Sequence, residues 1–193
     1  MRTRKMKKSQ QQNLNIKVDN IHQILLCHTG RNSKDFLKSI DWRYKQIWDK
    51  KPNYFIDKNG KISLINKDDV TDNYLKGYHK NKSVIVISLE NRGWLKRRSA
   101  DGKYVDWLGD IYEKRPIEKK WRGMIYWDPY SDKQMQSTKK LVKDLCKEYQ
   151  IPNHFVGHNT LVEGINRFNG ITTKSNYNEF WRDLNPTFNF EIL

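Results

Sequence analysis

Apolar residues along the chain fall into runs of two different periods, and the changes of period mark out the elements. Residues 21 to 27, Ile-His-Gln-Ile-Leu-Leu-Cys, form an apolar run short enough for a buried strand, which ends at the polar turn His28-Thr29-Gly30. From Ser33 to Trp48 the apolar positions Phe36, Leu37, Ile40, Tyr44, Ile47 and Trp48 share one helical face. Asn32 or Ser33 caps that helix, and Pro52 stops it. Tyr54 to Asp57 and Lys61 to Ile65 flank Asn59-Gly60, the strongest short signal for a hairpin. The run from Ser83 to Leu89 is β-branched and apolar on both faces, as a central strand requires. Ser131 and Gln134 have the spacing of a capping box, and Met135, Thr138, Leu141, Val142, Leu145 and Tyr149 then line one face of a helix of about five turns. His154 to His158 reads as a last short strand ending at a histidine.

The order strand, helix, three strands, helix, strand predicts an α/β fold with a mixed central β-sheet covered by helices. Residues 94 to 130 are rich in Trp, Tyr, Lys and Arg, are broken by Gly and Pro, and keep neither period, so they read as a long insertion packed by its own aromatics. Residues 1 to 13 are basic and Gln-rich without periodicity, which predicts a disordered tail ahead of a single domain over residues 14 to 193.

Composition narrows the function. The 37 Lys and Arg against 22 Asp and Glu leave a formal charge of +15, so some polyanion is attracted. No nucleic-acid module is recognisable, and nucleic acid is not the expected partner. Two cysteines, Cys27 and Cys146, are too few for a disulfide framework. No run approaches the roughly 20 apolar residues of a membrane span, and none follows the basic tail to make a signal peptide. The expected location is the cytoplasm of the producing cell, or a virion.

Residues able to carry chemistry stand at predicted strand ends and in loops: Cys27-His28, His158, and Asp183 in Asp-Leu-Asn-Pro-Thr-Phe. Together with the Asp-Lys-Asn-Gly hairpin, the Ser-Leu-Glu-Asn strand end and Val-Gly-His, their order resembles the zinc-dependent N-acetylmuramoyl-L-alanine amidase and peptidoglycan recognition protein superfamily, over roughly residues 20 to 190. Gly77-Tyr78-His79 ahead of Ser-Val-Ile-Val-Ile is similar to that family's Trp-His segment before its central strand. The resemblance implies a Zn2+ cofactor and bacterial peptidoglycan as partner, the reaction being cleavage of the amide between N-acetylmuramic acid and L-alanine by a phage-type enzyme that another agent delivers to the wall. A catalytically weakened or inactive module of the same fold that binds peptidoglycan or another ligand is the alternative.

Residue by residue, the resemblance places Cys27, His158 and Asp183 at the three ligand positions. Cys27 stands where most relatives have His, and His28 is the alternative ligand if Cys27 packs on the opposite face of the strand. Ser88 occupies the position of the family's catalytic Glu. Glu90, two residues on and on the same strand face, is the candidate substitute. His79, Tyr54 and Asn53 are the expected substrate-binding residues, Pro52-Asn53-Tyr54 standing where relatives open the hairpin with Tyr-His-Phe. Asp183 follows His158 by 25 positions, which makes residues 159 to 182 an inserted loop.

Overall fold

The computed structural model describes residues 21–45, 51–66, 75 and 84–193, with the side chains of 41–45 excepted. The tail, the predicted helix end at Ile47 and Trp48, and His79 lie outside the described residues. Among the described residues, two five-stranded sheets and two α-helices make up the mixed α/β fold. Strands β1 (Gln23–His28), β2 (Tyr54–Ile56), β3 (Ile62–Leu64) and β4 (Val84–Leu89) come from the predicted runs. So do helices α1 (Ser33–Lys45) and α2 (Asp132–Glu148).

The central sheet has the strand order β10 (Gly170–Thr173), β1, β4, β2, β3 and is parallel except for the β2–β3 hairpin. Because β1 and β4 lie inside it, both of their faces are buried, which is why their sequences are continuous apolar runs. Alternation splits them between two layers. Ile24, Leu26, Ile85, Ile87 and Leu89 pack with Leu141, Val142 and Leu145 of α2. Leu25, Cys27, Val84 and Val86 pack on the other face with Ile165 and Tyr177. That second face continues across the register Cys27–Ser88–Phe55 to α1, where the Phe55 ring meets Phe36 at 5.1 Å. Each fully buried Leu or Ile contributes about 1.5–3 kcal/mol, so these two layers hold the sheet.

The strand predicted at His154 to His158 is corrected. Only a single bridge joins Phe155 to Ile171, and the sheet edge beside β1 is β10 (Gly170–Thr173), inside the segment read as an inserted loop. Its four residues are too few to display a period, and its partner lies far away in sequence. Gly170 makes the pairing possible: at φ 148° a Cβ there would stand 2.5 Å from the His154 carbonyl oxygen and 2.8 Å from the Phe168 ring.

Residues 94 to 127 are a second sheet rather than an irregular insertion. It comprises β5 (Trp94–Arg97), β6 (Tyr104–Val105), β7 (Ile111–Tyr112), β8 (Ile117–Trp121) and β9 (Met124–Trp127), in the antiparallel order β7-β6-β5-β9-β8. Strands of this length are held by cross-strand pairs rather than by an alternating face. Trp94 pairs with Trp127, Trp121 packs on Trp127 at 5.6 Å, and Tyr104 meets Tyr126 edge-on at 4.9 Å.

Glu90, directly after β4, fastens the two layers. Its carboxylate accepts the Ser33 N–H at the start of α1 (3.0 Å) and the Lys58 N–H of the hairpin turn (2.9 Å). A negative charge is favoured at a helix N-terminus. The capping box of α2 forms in half: Ser131 accepts the Gln134 N–H, while the Gln134 amide reaches instead to the carbonyls of Ile56 and Glu90, each at 3.0 Å.

Two stability measurements test this picture. In urea unfolding, Gly170→Ala lowers stability by at least about 2 kcal/mol through backbone strain and the clash with His154, and an unchanged midpoint contradicts the β10 pairing. Glu90→Ala costs about 1–3 kcal/mol by orphaning two backbone donors, whereas a change within about 0.5 kcal/mol contradicts the fastening role.

Candidate functional site

His28 is the last residue of β1, and because Ile24 and Leu26 of the same strand face α2, its side chain emerges on the α2 side. There the ring lies between two oxygens. Its Nε2 is 3.5 Å from Asp183 Oδ1, and its Nδ1 is 3.5 Å from the Tyr130 hydroxyl. The His28 backbone N–H also donates to Asp183 Oδ1 at 2.7 Å, so one carboxylate grips both the main chain and the ring of this residue. Gly93, at φ 78°, backs the ring: a Cβ there would stand 3.2 Å from Nε2. The His28 and Asp183 side chains are only 11% and 12% exposed. Burial pushes the His28 pKa below its ordinary value, against the pull of Asp183 and with the help of Lys174.

The segment that brings Asp183 back to β1 is locked by buried amides. The Ser175 N–H donates to the Asp183 carbonyl, and the Asn185 side chain donates to Asn91 Oδ1 at 2.9 Å and to the Asp128 carbonyl at 3.0 Å. Tyr130 is held edge-on against Phe188 of the same segment at 5.3 Å, and burial beside Asp183 raises its pKa well above the usual phenol value. Next to it the buried Asp128 carboxylate gathers Lys58 Nζ at 3.0 Å, the Tyr112 hydroxyl at 2.9 Å and the Arg92 N–H at 2.8 Å. These groups close the inner end of a cleft of about 420 Å³ between the second sheet and the central one, also lined by Asn32, Glu90 and Lys114. Trp107, at the tip of the second sheet, donates to the Gly30 carbonyl and stacks under Arg31, pinning the loop that follows His28.

The predicted site residues separate by face. Asp183 meets His28. Cys27 points to the other face, wholly buried beside Leu25, Val86 and Tyr177, with its thiol toward the Ile87 carbonyl at 3.6 Å. Ser88 is Cys27's register partner on that face and is also fully buried, its hydroxyl without a hydrogen-bond partner among the described residues. Glu90 lies on the same side, with both oxygens on backbone donors. His158 is exposed, its Nδ1 2.7 Å from the Thr160 hydroxyl, and its loop abuts the Asp183 segment through Asn159, which donates to the Leu184 carbonyl. Among the described residues no three His, Cys, Asp or Glu side chains stand close enough together to hold a metal ion.

Asn53 is built into the sheet, its side chain accepting the Val86 N–H at 2.8 Å and donating to the Asn66 carbonyl at 3.0 Å. Burial, and after it the charge of Glu148 in the last turn of α2, raises the Tyr54 pKa. That turn is the opposite end of a 17-residue helix, roughly 25 Å long, from Tyr130 and His28. Tyr130, Asp128 and Lys58 were not singled out by sequence reasoning. The available signals were an aromatic directly before the Ser131 cap and the Lys of the Asp-Lys-Asn-Gly turn.

The sequence profile of the N-acetylmuramoyl-L-alanine amidase family matches residues 17–174. That span includes His28 and His158, and Asp183 lies beyond it. No curated protein matches the chain by sequence. Among solved structures, the amidase AmiD from E. coli, in complex with anhydro-N-acetylmuramic acid-L-Ala-D-gamma-Glu-L-Lys, is similar at 20% identity and TM-score 0.45, over 69% of this chain and 46% of that one. The present chain therefore spans under half of AmiD's length. The amidase LysC from Clostridium intestinale is similar at 15% identity and TM-score 0.48, over 91% and 83% of the two chains. The endolysin amidase LysCS from the same organism is similar at 14% identity and TM-score 0.43, over 84% and 74%. With its profile match running from ahead of β1 to the end of β10, the chain belongs to the N-acetylmuramoyl-L-alanine amidase family.

Proposed function

We propose that this chain is a phage-type peptidoglycan amidase that cleaves the bond between N-acetylmuramic acid and the L-alanine of the stem peptide, working at the His28–Asp183 pair. The observation that carries the reading is the grip of Asp183 on both the main chain and the ring of His28 at the carboxyl end of β1, where parallel sheets commonly place their chemistry.

The donor chemistry suits zinc. An imidazole nitrogen and a carboxylate oxygen 3.5 Å apart are donors of the kind that zinc takes. His28 and Asp183 would hold the ion, and His158 would have to move with its exposed loop to join them, since no third His, Cys, Asp or Glu stands beside the pair among the described residues. Cys27, on the other face, is the weaker candidate for the first position despite its place in the family pattern. When bound, zinc supplies Lewis acidity toward the scissile carbonyl and acidifies water.

The remaining residues position and bind. Asp183 orients His28, while the Lys174 ammonium lies over the Trp181 ring. Lys58 and Arg92 line the adjoining cleft, where a stem peptide has room. A general base is the missing part. Ser88 has no carboxylate, and Glu90 has both oxygens on backbone donors on the far face of β4. Hydrolysis is therefore expected to be slower, by the ~10²- to 10⁴-fold that general-base assistance supplies, than in relatives that keep a Glu there. The same observation favours a second reading, a module that binds wall peptides with little turnover.

Purified sacculi incubated with the protein and zinc discriminate the two. Wild type is expected to release stem peptides slowly. His28→Ala and Asp183→Asn each reduce release by at least about 100-fold, the scale of losing a ligand or its partner, while Cys27→Ser stays within about threefold. Binding to sacculi without release supports the module, and loss of release in a folded Cys27→Ser protein overturns the assignment of His28.

A further inference from the structure

We propose that Arg122, at the tip of the second sheet, is a positioning residue of the His28–Asp183 site, bracing from both sides the segment that carries Asp183. The inference rests on the proposed site but not on its turnover. Arg122 and Gly123 make the two-residue turn between β8 and β9, and both have left-handed backbone, at φ 46° and 77°. Asn or Gly suits the first place of such a turn better than Arg, so what the arginine brings there is its guanidinium.

That guanidinium joins two segments of chain. Its Nη1 donates to the carbonyls of Trp181 and, at 2.8 Å, of Glu179, and its Nη2 donates to the Asn159 carbonyl at 3.4 Å. The Arg122 carbonyl in turn accepts Arg182 Nε at 3.4 Å, so the tip is tied to Trp181 and Arg182, the two residues before Asp183. Asn159 completes the bracket on the other side, its side chain donating to the carbonyl of Leu184, the residue after Asp183. Arg122 Cζ lies 4.8 Å from the Trp121 ring centre, which limits where the fork can swing.

A planar fork of five N–H donors serves both segments at once, whereas an ammonium is a point donor. Arg122 thereby passes the position of the second sheet to Asp183, whose Oδ1 accepts the His28 main-chain N–H at 2.7 Å. The Ser175 and Asn185 contacts keep the return segment folded without the brace, so what it adds is the fixed placement of the carboxylate.

The test compares the full chain with Arg122→Asn, which removes the fork yet suits the turn, and with Arg122→Lys, which keeps the charge without the fork. Both are expected to unfold near the wild-type midpoint. Amide hydrogen exchange followed by NMR reads the His28 N–H, whose acceptor is the Asp183 carboxylate. In each variant it is expected to exchange at least about 10-fold faster while the β4 amides keep their rates, and zinc is expected to bind about 10-fold more weakly, the lower end for loss of a group that supports a ligand. An unchanged His28 exchange rate, a zinc affinity equal to that of wild type, or wild-type behaviour of Arg122→Lys overturns the proposal. Failure of the amidase reading leaves a different signature: a wild type that binds no zinc and releases no peptide, with His28 exchange still faster in both variants, supports the brace and counts against the enzyme.

Discussion

The Asp183 carboxylate holds the site together by accepting the His28 main-chain N–H at 2.7 Å while facing the same residue's ring at 3.5 Å. The two residues lie far apart in sequence, and their meeting depends on every layer between them. Burial of β1 and β4 on both faces fixes where His28 emerges, and α2 offers Tyr130 just before its first turn. The Asn185 amides clamp the return segment to Asn91 and Asp128. His28 and Asp183 are thereby fixed relative to one another, while His158 is exposed.

Strand alternation explains the outcome at adjacent residues. Cys27 and His28 are neighbours in sequence, and a family pattern read along the chain favours the first of them. The pleat sends Cys27 to the layer of Leu25 and Val86, and His28 to the layer of Leu26 and Tyr130. The same rule carries Ser88 and Glu90 away from His28. Glu90 then becomes a fastener, since two backbone donors, one of them opening α1, converge on its carboxylate.

Much of the fold was legible where local periodicity is strong. The apolar runs of β1 and β4, the Asn59-Gly60 hairpin and the Ser131 cap all stand where the residues put them. Strand β10 was not legible, because four residues show no period and Gly170 reads as a loop signal although its missing Cβ is what admits His154. The second sheet escaped for a related reason: its two- to five-residue strands are defined by pairs such as Trp94–Trp127, which lie far apart along the chain. Its basic residues are likewise not all available to a polyanion. Arg122 is tied to the carbonyls of Glu179 and Trp181, and Lys119 to the carbonyl of Pro186, so part of the net charge serves to hold the fold. At the candidate site, Asp183 was singled out by its motif, whereas Tyr130 and Asp128 carry no motif and are reached only through contacts.

The claim on which the functional account turns is that the face of β1 bearing His28, and not the face bearing Cys27, presents the first donor. X-ray absorption at the zinc edge of the zinc-loaded protein tests it most directly, because a thiolate and an imidazole differ in bond length as well as in scattering. The account predicts a shell of nitrogen and oxygen donors at about 2.0–2.2 Å and no sulfur, and a sulfur shell at about 2.3 Å would contradict it.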